Sequence, residues 1–454
     1  MRANYGVQHR CDEPLAASGT LHRLAFLAKG PLHMVKLRRS FTWSLVGNLG
    51  YNLTQFFLVI ALARLGTSSM VGQFALAQAI SAPIFLMVGL NLRAVRATDV
   101  KRVWSADQYG KLRFVLNVLS LLVTVGVGLI IGLRGTSLAV LVIIAMAKSA
   151  EATSQLMYGY FQIRQRLDLV SRSFLLRAGL GAAGFVSALV ATGGLPEACL
   201  GMLAGWVLVY LVHDAPLERR LLRDDAAIAG RVNQSATVAQ LARKAFPLGL
   251  DAGVTSLANN VPRYSIQAQL GTAALGTYAA LAYLGQVATM LTGAMADALI
   301  GRLAIEADRR DVRAFKRSMT TLLVFGMGVS GVIILGAWAF GAQLIGLLLG
   351  DAYVDQPLLI WLVVAAAMTT LQRCLGRGLQ ATHRYTAVLA VDTVTLVVTL
   401  LTVPLLVSAW GTSGAGAGVA LAFLVGAFPA GWILIREVAR MGQDLPATTS
   451  RIGG

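Results

Sequence analysis

Long apolar stretches, separated by short polar connections, dominate the chain between residues 41 and 435. Twelve of them can be counted, each with roughly 17–27 mainly apolar residues, the length with which an α-helix crosses a hydrocarbon core about 30 Å thick. The predicted spans are 41–63, 72–92, 112–133, 138–158, 173–191, 197–212, 246–268, 274–300, 318–340, 358–374, 386–407 and 413–435. The pattern therefore predicts an all-α, polytopic membrane protein with twelve transmembrane helices.

Lys and Arg are distributed unevenly among the connections. Of 39 such residues, 34 lie in the two tails, in every second connection or, as Arg113 and Arg373 do, within two residues of such a connection, and the intervening connections hold only Arg64 and Arg134. The other three, Lys148, Arg177 and Arg263, lie inside apolar stretches. Since loops rich in Lys and Arg stay on the cytoplasmic side of a membrane, this bias predicts that both termini are cytoplasmic.

The longest connection divides the predicted helices into two sets of six. It is charged, runs from about residue 214 to 245, and separates a bundle at 41–213 from one at 246–435, with cytoplasmic tails at 1–40 and 436–454. A short repeat supports the division: Leu65-Gly66-Thr67 precedes Gly72-Gln73-Phe74-Ala75, and Leu270-Gly271-Thr272 precedes Gly276-Thr277-Tyr278-Ala279. Because six is even, both halves have the same orientation, which predicts a parallel repeat about an axis along the membrane normal.

Composition narrows the class of protein further. A mean hydropathy of +0.67, with 56% hydrophobic and 13% charged residues, excludes an ordinary soluble protein. The pI near 10.4 does not indicate nucleic-acid binding, because basic cytoplasmic loops set topology and meet anionic lipids. Cys11, Cys199 and Cys374 lack disulfide or metal-ligand spacing, so no metal or cofactor is expected. The first 40 residues contain no signal-peptide h-region, and we expect this tail to be disordered or to precede a start at Met34.

Polar side chains recur at helical spacing along three predicted spans. The first carries Ser44, Asn48, Asn52 and Gln55, the seventh Asp251, Thr255, Asn259 and Arg263 at a strict spacing of four, and the eighth Gln286, Thr289, Gly293 and Asp297. Such stripes either line a polar cavity or join helices by hydrogen bonds, and the sequence leaves both readings open. Prolines at positions 83, 247, 262 and 404 are expected to interrupt their helices.

Charges inside the apolar stretches favour a cavity. A Lys or Arg facing lipid near the bilayer centre costs about 2.5–3.5 kcal/mol on insertion scales, so these side chains should face protein or water. Lys148 has Glu151 one turn away, and this pair either neutralises itself or serves a function. Arg177 and Arg263 have no acidic residue within one turn, which favours contact with an anion. Candidates for ion coupling are Asp251, Asp297 and Glu151.

A series of short motifs occupies the segment between residues 37 and 99. They are Leu37-Arg38-Arg39-Ser40-Phe41, Asn48, Gln55, Met70-Val71-Gly72-Gln73-Phe74-Ala75-Leu76-Ala77, Ala82-Pro83, Leu90-Asn91-Leu92-Arg93 and Ala97-Thr98-Asp99. This segment resembles bacterial Wzx-type polysaccharide flippases, which belong to the superfamily that includes the MATE drug antiporters and the lipid II flippase. Over the rest of the chain the resemblance rests on twelve helices in two halves.

The resemblance implies two six-helix lobes around a central cavity formed largely by the first, second, seventh and eighth helices. It also implies that a polyprenyl-diphosphate-linked sugar unit moves from the inner to the outer leaflet of the bacterial cytoplasmic membrane, without catalysis. Membrane lipids and other polysaccharide-assembly proteins are the expected partners. Arg263, Arg177 and Lys148 would then meet the diphosphate or acidic sugars, and neutral contacts would come from Asn48, Asn52 and Asn259.

Other functions fit parts of the same pattern. A cation-coupled multidrug antiporter of this fold would favour an acidic cavity. Asp251 and Asp297 are compatible with that function, whereas the three cations argue against it. A polysaccharide polymerase or ligase would need catalytic residues in a sizeable outer loop, whereas none of the predicted outer loops contains a His. An ATP-driven pump is disfavoured because the chain lacks a Gly-x-x-x-x-Gly-Lys-Ser/Thr loop. The sequence therefore favours transport with no chemistry on the substrate.

Overall fold

The structure, a computed structural model, describes residues 30–99, 103–164, 166–226 and 237–443, and the side chains of Asn48 and Asp297 lie outside what it describes. Every regular element in these ranges is helical. The first helix begins at Gly30, before the predicted span at 41, and the expectation for the tail falls mainly on residues 1–29, outside the described part.

Short connections join the helices. In chain order the first half contains α1 (Gly30–Leu65), α2 (Ser68–Met87), α3 (Leu92–Thr98), α4 (Ala106–Ile130), α5 (Gly135–Ile163), α6 (Leu167–Thr192), α7 (Leu195–Val209), a π-helical turn (Tyr210–Asp214) and α8 (Ala215–Ala226). The second half contains a helical segment Val238–Asp308, α11 (Val312–Leu348), a 3-10 turn (Asp351–Tyr353), α12 (Gln356–Ala381) and a helical segment Tyr385–Gln443.

Glycines break the two longest helical segments. Gly271 has φ 83° and ψ −177°, and Gly411 has φ 62° and ψ −141°, conformations that residues with a Cβ rarely adopt. The breaks yield α9 (238–270), α10 (272–308), α13 (385–410) and α14 (412–443). Ten helical segments have 15 residues or more, and since two of them are broken, the described chain contains twelve long helices.

Apolar surface on these helices faces outward as well as inward. Eight helical stretches in the described residues are long and apolar enough to cross a membrane, and one of them, Tyr385–Met441, includes the break at Gly411. In α11 only 22% of the apolar window is buried inside the protein, so most of that surface needs a hydrocarbon environment. The predicted all-α, polytopic membrane fold is confirmed.

The four prolines do not interrupt their helices, and that prediction was wrong. Pro83 lies inside α2, Pro247 and Pro262 inside α9, and Pro404 inside α13, each with helix on both sides. In a membrane bundle, neighbouring helices and side chains can satisfy the backbone group that a proline leaves unbonded. Breaks occur instead at the glycines, where a left-handed backbone turns the chain back.

The connection predicted at 214–245 is largely helical. α8 occupies its first part, and α9 begins at Val238. Thr237 Oγ1 accepts a hydrogen bond from the Gln240 amide at 3.3 Å, and Gln240 Oε1 accepts one from the Thr237 amide at 3.0 Å. This capping box satisfies donors at the start of α9. We call α1–α7 the N-lobe and α9–α14 the C-lobe.

The two lobes meet where α2 and α10 cross, at the end of the molecule that carries Gly66 and Gly271, here called the glycine-turn end. A Cβ on Gly72 would lie 1.9 Å from the carbonyl oxygen of Thr272, and a Cβ on Gly276 would lie 1.9 Å from that of Ser68. Gly276 follows Gly72, and Thr272 follows Ser68, by the same 204 positions. The contacts are therefore reciprocal, as around a two-fold axis.

Further contacts hold the glycine-turn end together. Arg64 of α1 donates from Nε to the Leu348 carbonyl at 3.1 Å and from Nη2 to the Gly346 carbonyl at 2.8 Å, at the C-terminal end of α11, where a cation is favoured. One hydrophobic core there contains residues of both lobes, among them Phe74 and Leu358. The opposite end carries Arg93, Arg309 and Arg384 and is here called the basic end. There α9 packs on the N-lobe, as Leu241 does with Leu90, while other C-lobe residues form a separate core.

Candidate functional site

A cavity of about 330 Å³ lies in the N-lobe, between α2, α4 and α5. We call it the N-lobe cavity. Its lining consists of Ala82, Phe85, Leu86, Gly89, Asn91, Leu92, Arg93, Arg113, Lys148, Glu151, Ala152 and Gln155. Three of these side chains are cationic and one is anionic, so the cavity carries a surplus of positive charge.

Lys148 and Glu151 form one side of the N-lobe cavity. Lys148 Nζ lies 2.9 Å from Glu151 Oε2, one turn away on α5, and Tyr51 Oη of α1 donates to Glu151 Oε1 at 3.1 Å. The two side chains are 21% and 17% exposed, so the pair borders the open space of the cavity. The carboxylate thus has a partner from another helix in addition to the lysine, which holds it in place.

Arg113 and Arg93 are cavity cations that were not predicted as site residues, since Arg113 lies at the edge of a predicted span and Arg93 in a connection. Ser105 and Gln108 form a capping box that starts α4 at Ala106, and helical spacing then places Arg113 on the buried face of that helix with Tyr109. Arg113 Nη2 donates to the Gly89 carbonyl at 3.2 Å. The available signal was its position one residue inside the predicted span 112–133.

Arg93 reaches the cavity because of a turn after α2. Leu90 and Asn91 have φ values of 56° and 43°, and this left-handed turn separates α2 from α3. The Arg93 guanidinium donates from Nη1 to Gln155 Oε1 and lies 5.6 Å from the centre of the Tyr158 ring. Sequence spacing alone contains no signal for such a turn, so Arg93 was predicted as a loop residue.

Arg177 does not line the N-lobe cavity, nor the cavity in the C-lobe that is described below. This differs from the expectation that Arg177 is free to meet an anion. Its side chain is 1% exposed, and Nη2 lies 3.7 Å from Oδ2 of Asp214, which is 0% exposed. The same nitrogen donates to Ser154 Oγ, and the guanidinium lies 5.8 Å from the Trp206 ring centre. Asp214 is 37 positions away in sequence, so the spacing of residues along a single helix does not predict this ion pair.

A second cavity, of about 370 Å³, lies in the C-lobe. We call it the C-lobe cavity. Asp251, Thr255 and Asn259 of α9 all line it, as their spacing of four predicted. On the other side are Arg373, Arg377 and Asp392. The side-chain amide of Gln372 donates to Asp392 Oδ1 at 3.4 Å and to Thr395 Oγ1 at 2.9 Å. Two carboxylates balance two guanidinium groups in this lining.

Arg263, the last member of the α9 stripe, is not among the residues that line the C-lobe cavity. It is half-buried and donates from Nη1 to Asn260 Oδ1 at 2.6 Å, and none of the described carboxylates forms an ion pair with it. Asn52 is exposed on α1, next to Tyr51. The predicted site residues are thus divided between two lobes, and Asn48 and Asp297 lie outside the described side chains.

Known proteins resemble this chain in both sequence and fold. Residues 37–305, more than half of the chain, match the family described as polysaccharide biosynthesis protein. The capsular polysaccharide biosynthesis protein CapF of Staphylococcus aureus is 22% identical over 350 residues, which are 76% of this chain and 86% of CapF.

Solved structures with the same fold include transporters of the MATE type. A mutant of the MATE transporter VcmN of Vibrio cholerae has a TM-score of 0.61 at 13% identity, with 89% of this chain and 96% of that one covered. A MOP-superfamily transporter of Pyrococcus furiosus has a TM-score of 0.63 at 13% identity, with 90% and 96% covered. The chain therefore belongs to the polysaccharide biosynthesis protein family and has the fold of the MATE transporters.

Proposed function

We propose that this protein is a flippase, which moves a polyprenyl-diphosphate-linked oligosaccharide across the bacterial cytoplasmic membrane for surface or exopolysaccharide synthesis. The observation that carries the proposal is a positively charged cavity inside a two-lobed membrane bundle of the polysaccharide biosynthesis family. A diphosphate with its sugars cannot cross hydrocarbon unaided, because its charges and hydroxyls would lose water without replacement. Cations and amides within the bundle replace that water, while the lipid tail stays in the bilayer.

The candidate contacts are cationic and amide side chains on the helices of the two lobes. Arg263 supplies a forked cation for phosphate oxygens, and Asn52 and Asn259 offer amides for sugar hydroxyls. Lys148 contributes when its pair with Glu151 opens. We withdraw Arg177 from this set, since Asp214 and Ser154 already occupy its guanidinium. Asn48 is also proposed as an amide contact for sugar hydroxyls, on the basis of its position in the sequence, because its side chain lies outside the described part of the structure.

The lobes supply the movement. Reciprocal contacts at Gly72 and Gly276 hold α2 and α10 together at the glycine-turn end. Rocking of the lobes about the pseudo-two-fold axis would separate them and open that end to the other leaflet. Asp251, Glu151 and Asp297 are proposed to couple the cycle to an ion.

A vesicle assay tests this function directly. Purified protein in liposomes is given a fluorescent polyprenyl-diphosphate oligosaccharide, and an impermeant quencher reports the fraction in the outer leaflet. We expect protein-dependent exchange of the labelled lipid between leaflets, with no exchange of a labelled phosphatidylcholine. Equal rates with and without protein, for lipids carrying several different sugars, would contradict the proposal.

Arg263 provides a residue-level prediction. Arg263→Ala should lower polysaccharide export by roughly tenfold or more, since a charge-assisted contact contributes about 1.5–3 kcal/mol, while the amount of protein in the membrane stays normal. Arg263→Lys should restore part of the export, because the charge returns without the fork. Normal export by a well-expressed Arg263→Ala variant would remove this residue from the mechanism.

The proposed orientation places both termini in the cytoplasm. Reporter domains fused near Thr67, Arg134, Thr272 and Asp351 should be active outside, because these connections carry few positive charges. Fusions near Asp107, Arg223 and Arg309 should report a cytoplasmic location. A cytoplasmic signal from Thr67 or Thr272 would overturn both the orientation and the parallel repeat.

The C-lobe cavity favours a second candidate, a cation-coupled multidrug antiporter. Asp251 and Asp392 line one cavity, and a carboxylate pair in a membrane can bind a cation or a proton. Efflux of ethidium from cells that express the protein, abolished by Asp392→Asn and independent of polysaccharide genes, would favour this candidate. Arg373 and Arg377 in the same lining oppose a cationic drug there.

A further inference from the structure

We infer that the N-lobe cavity is a recruitment site for the diphosphate of the lipid-linked substrate, held by Arg93, Arg113 and Lys148 at the basic end before the lobes reorient. The inference rests on the proposed function and assigns the anion to a cavity whose lining includes neither Arg263 nor any other residue of the α9 stripe. Four properties of the cavity support it.

The net charge of the lining matches the ligand. Arg93, Arg113 and Lys148 contribute three positive charges, and Glu151 contributes one negative charge. A diphosphate esterified at both ends carries two negative charges at neutral pH, so ligand and lining sum to zero. The C-lobe cavity has two arginines and two aspartates and offers no such surplus.

Arg113 has unused hydrogen-bonding capacity. The residue is 5% exposed, and its Nε has no hydrogen-bond partner among the described residues, although Nη2 is bound to the Gly89 carbonyl. None of the described carboxylates forms an ion pair with it. A buried guanidinium without a counter-ion is costly, and an incoming anion in the adjoining cavity would relieve that cost.

The other two cations are held by partners that an anion can replace or share. Arg93 is fixed by the neutral Gln155 amide and lies over the Tyr158 ring, so its charge is not neutralised. Lys148 pairs with Glu151, but Tyr51 also donates to that carboxylate. Glu151 would therefore keep one hydrogen bond when Lys148 turns to a phosphate oxygen, which makes release and rebinding reversible.

The opposite wall is apolar, and this favours a lipid-linked ligand over a free phosphate. Ala82, Phe85 and Leu86 of α2 line the cavity, and Leu86 is 41% exposed. An isoprenoid segment next to the diphosphate would cover that apolar surface and gain by leaving water. Inorganic diphosphate would gain nothing from it.

Binding to the purified protein in neutral detergent tests the site. The probe is farnesyl diphosphoryl glucose, a short lipid-linked diphosphate diester, and its dissociation constant is measured by thermal stabilisation and by direct titration. We expect Arg113→Gln and Arg93→Gln each to weaken binding at least tenfold. Glu151→Gln should tighten it severalfold, because the lining gains one net positive charge. Lys111→Gln is the control matched to Arg113→Gln. Lys111 lies on α4 like Arg113, but it is 69% exposed and outside the cavity, so the affinity for the probe should not change.

Competitors separate the sources of phosphate. Inorganic diphosphate and phosphatidylglycerol should each compete at least tenfold more weakly than the probe. Equal competition by inorganic diphosphate would mean a free-phosphate site, equal competition by phosphatidylglycerol would mean a general lipid-headgroup site, and either would overturn the inference. Arg113→Lys guards against misfolding, since it keeps the charge and should retain more affinity than the glutamine variant.

The vesicle assay distinguishes the two possible failures. If wild-type protein flips the labelled lipid and the Arg113→Gln and Lys111→Gln variants bind the probe equally well, the recruitment site is wrong and the flippase stands. If the wild-type protein binds the probe but flips no lipid-linked sugar, the proposed function fails on its own.

Discussion

Replacing Gly72 or Gly276 by alanine is expected to abolish transport, because the added methyl group has no room between the two lobes. Each added Cβ would lie 1.9 Å from a carbonyl oxygen of the other lobe, so the backbones of α2 and α10 would have to separate. Overpacking of this kind commonly costs about 1–3 kcal/mol, and backbone atoms cannot rotate away as a side chain can. The closed glycine-turn end would lose stability, and transport in the vesicle assay should fall more than tenfold.

Matched glycines elsewhere supply the control. A Cβ on Gly126 of α4 or Gly331 of α11 would meet no heavy atom within 4 Å, so alanine at those positions should leave transport unchanged. An alanine at Gly72 that transports at the wild-type rate would show that closure at this crossing is not part of the cycle. Equal losses at all four positions would instead point to a general effect of helix glycines.

Replacing Arg177 by methionine should destabilise the N-lobe strongly rather than impair substrate binding selectively. The change leaves Asp214, which is fully buried, without its guanidinium, and breaking a buried pair typically costs about 3–5 kcal/mol. Neutral or weakly charged partners such as His213 Nδ1, 2.9 Å from Asp214 Oδ1, and Tyr158 Oη, 3.5 Å from Oδ2, would remain but would not replace the guanidinium charge. We expect a lower midpoint of thermal unfolding in detergent and less protein in the membrane.

A double variant separates the structural role from a substrate role. Arg177→Met combined with Asp214→Asn should be more stable than Arg177→Met alone, because no uncompensated charge stays buried. Arg172→Met, five residues earlier on α6 and exposed, should change stability by no more than about 0.5 kcal/mol. A well-folded Arg177→Met protein that loses only transport would return Arg177 to the candidate substrate contacts.

Sequence alone was enough to predict the membrane class and the all-α fold. Hydropathy acts over roughly 20 consecutive residues, so each transmembrane helix carries its own signal. The repeat that contains Gly72 and Gly276 was also visible in the sequence, but only the structure shows that these glycines lie against backbone of the other lobe, where a Cβ has no room. The stripe of Asp251, Thr255 and Asn259 also needed only helical spacing to reach one cavity.

Only the tertiary structure decided which charges face a cavity and which are already paired. Arg177 meets Asp214 from another helix, and Arg93 enters the N-lobe cavity through a left-handed turn that no periodicity reveals. Arg113 shares that cavity with Lys148 because α4 packs beside α5. A sequence pattern reports the face of a helix on which a charge lies, but the partner of that charge depends on helix packing, which brings together residues that are distant along the chain.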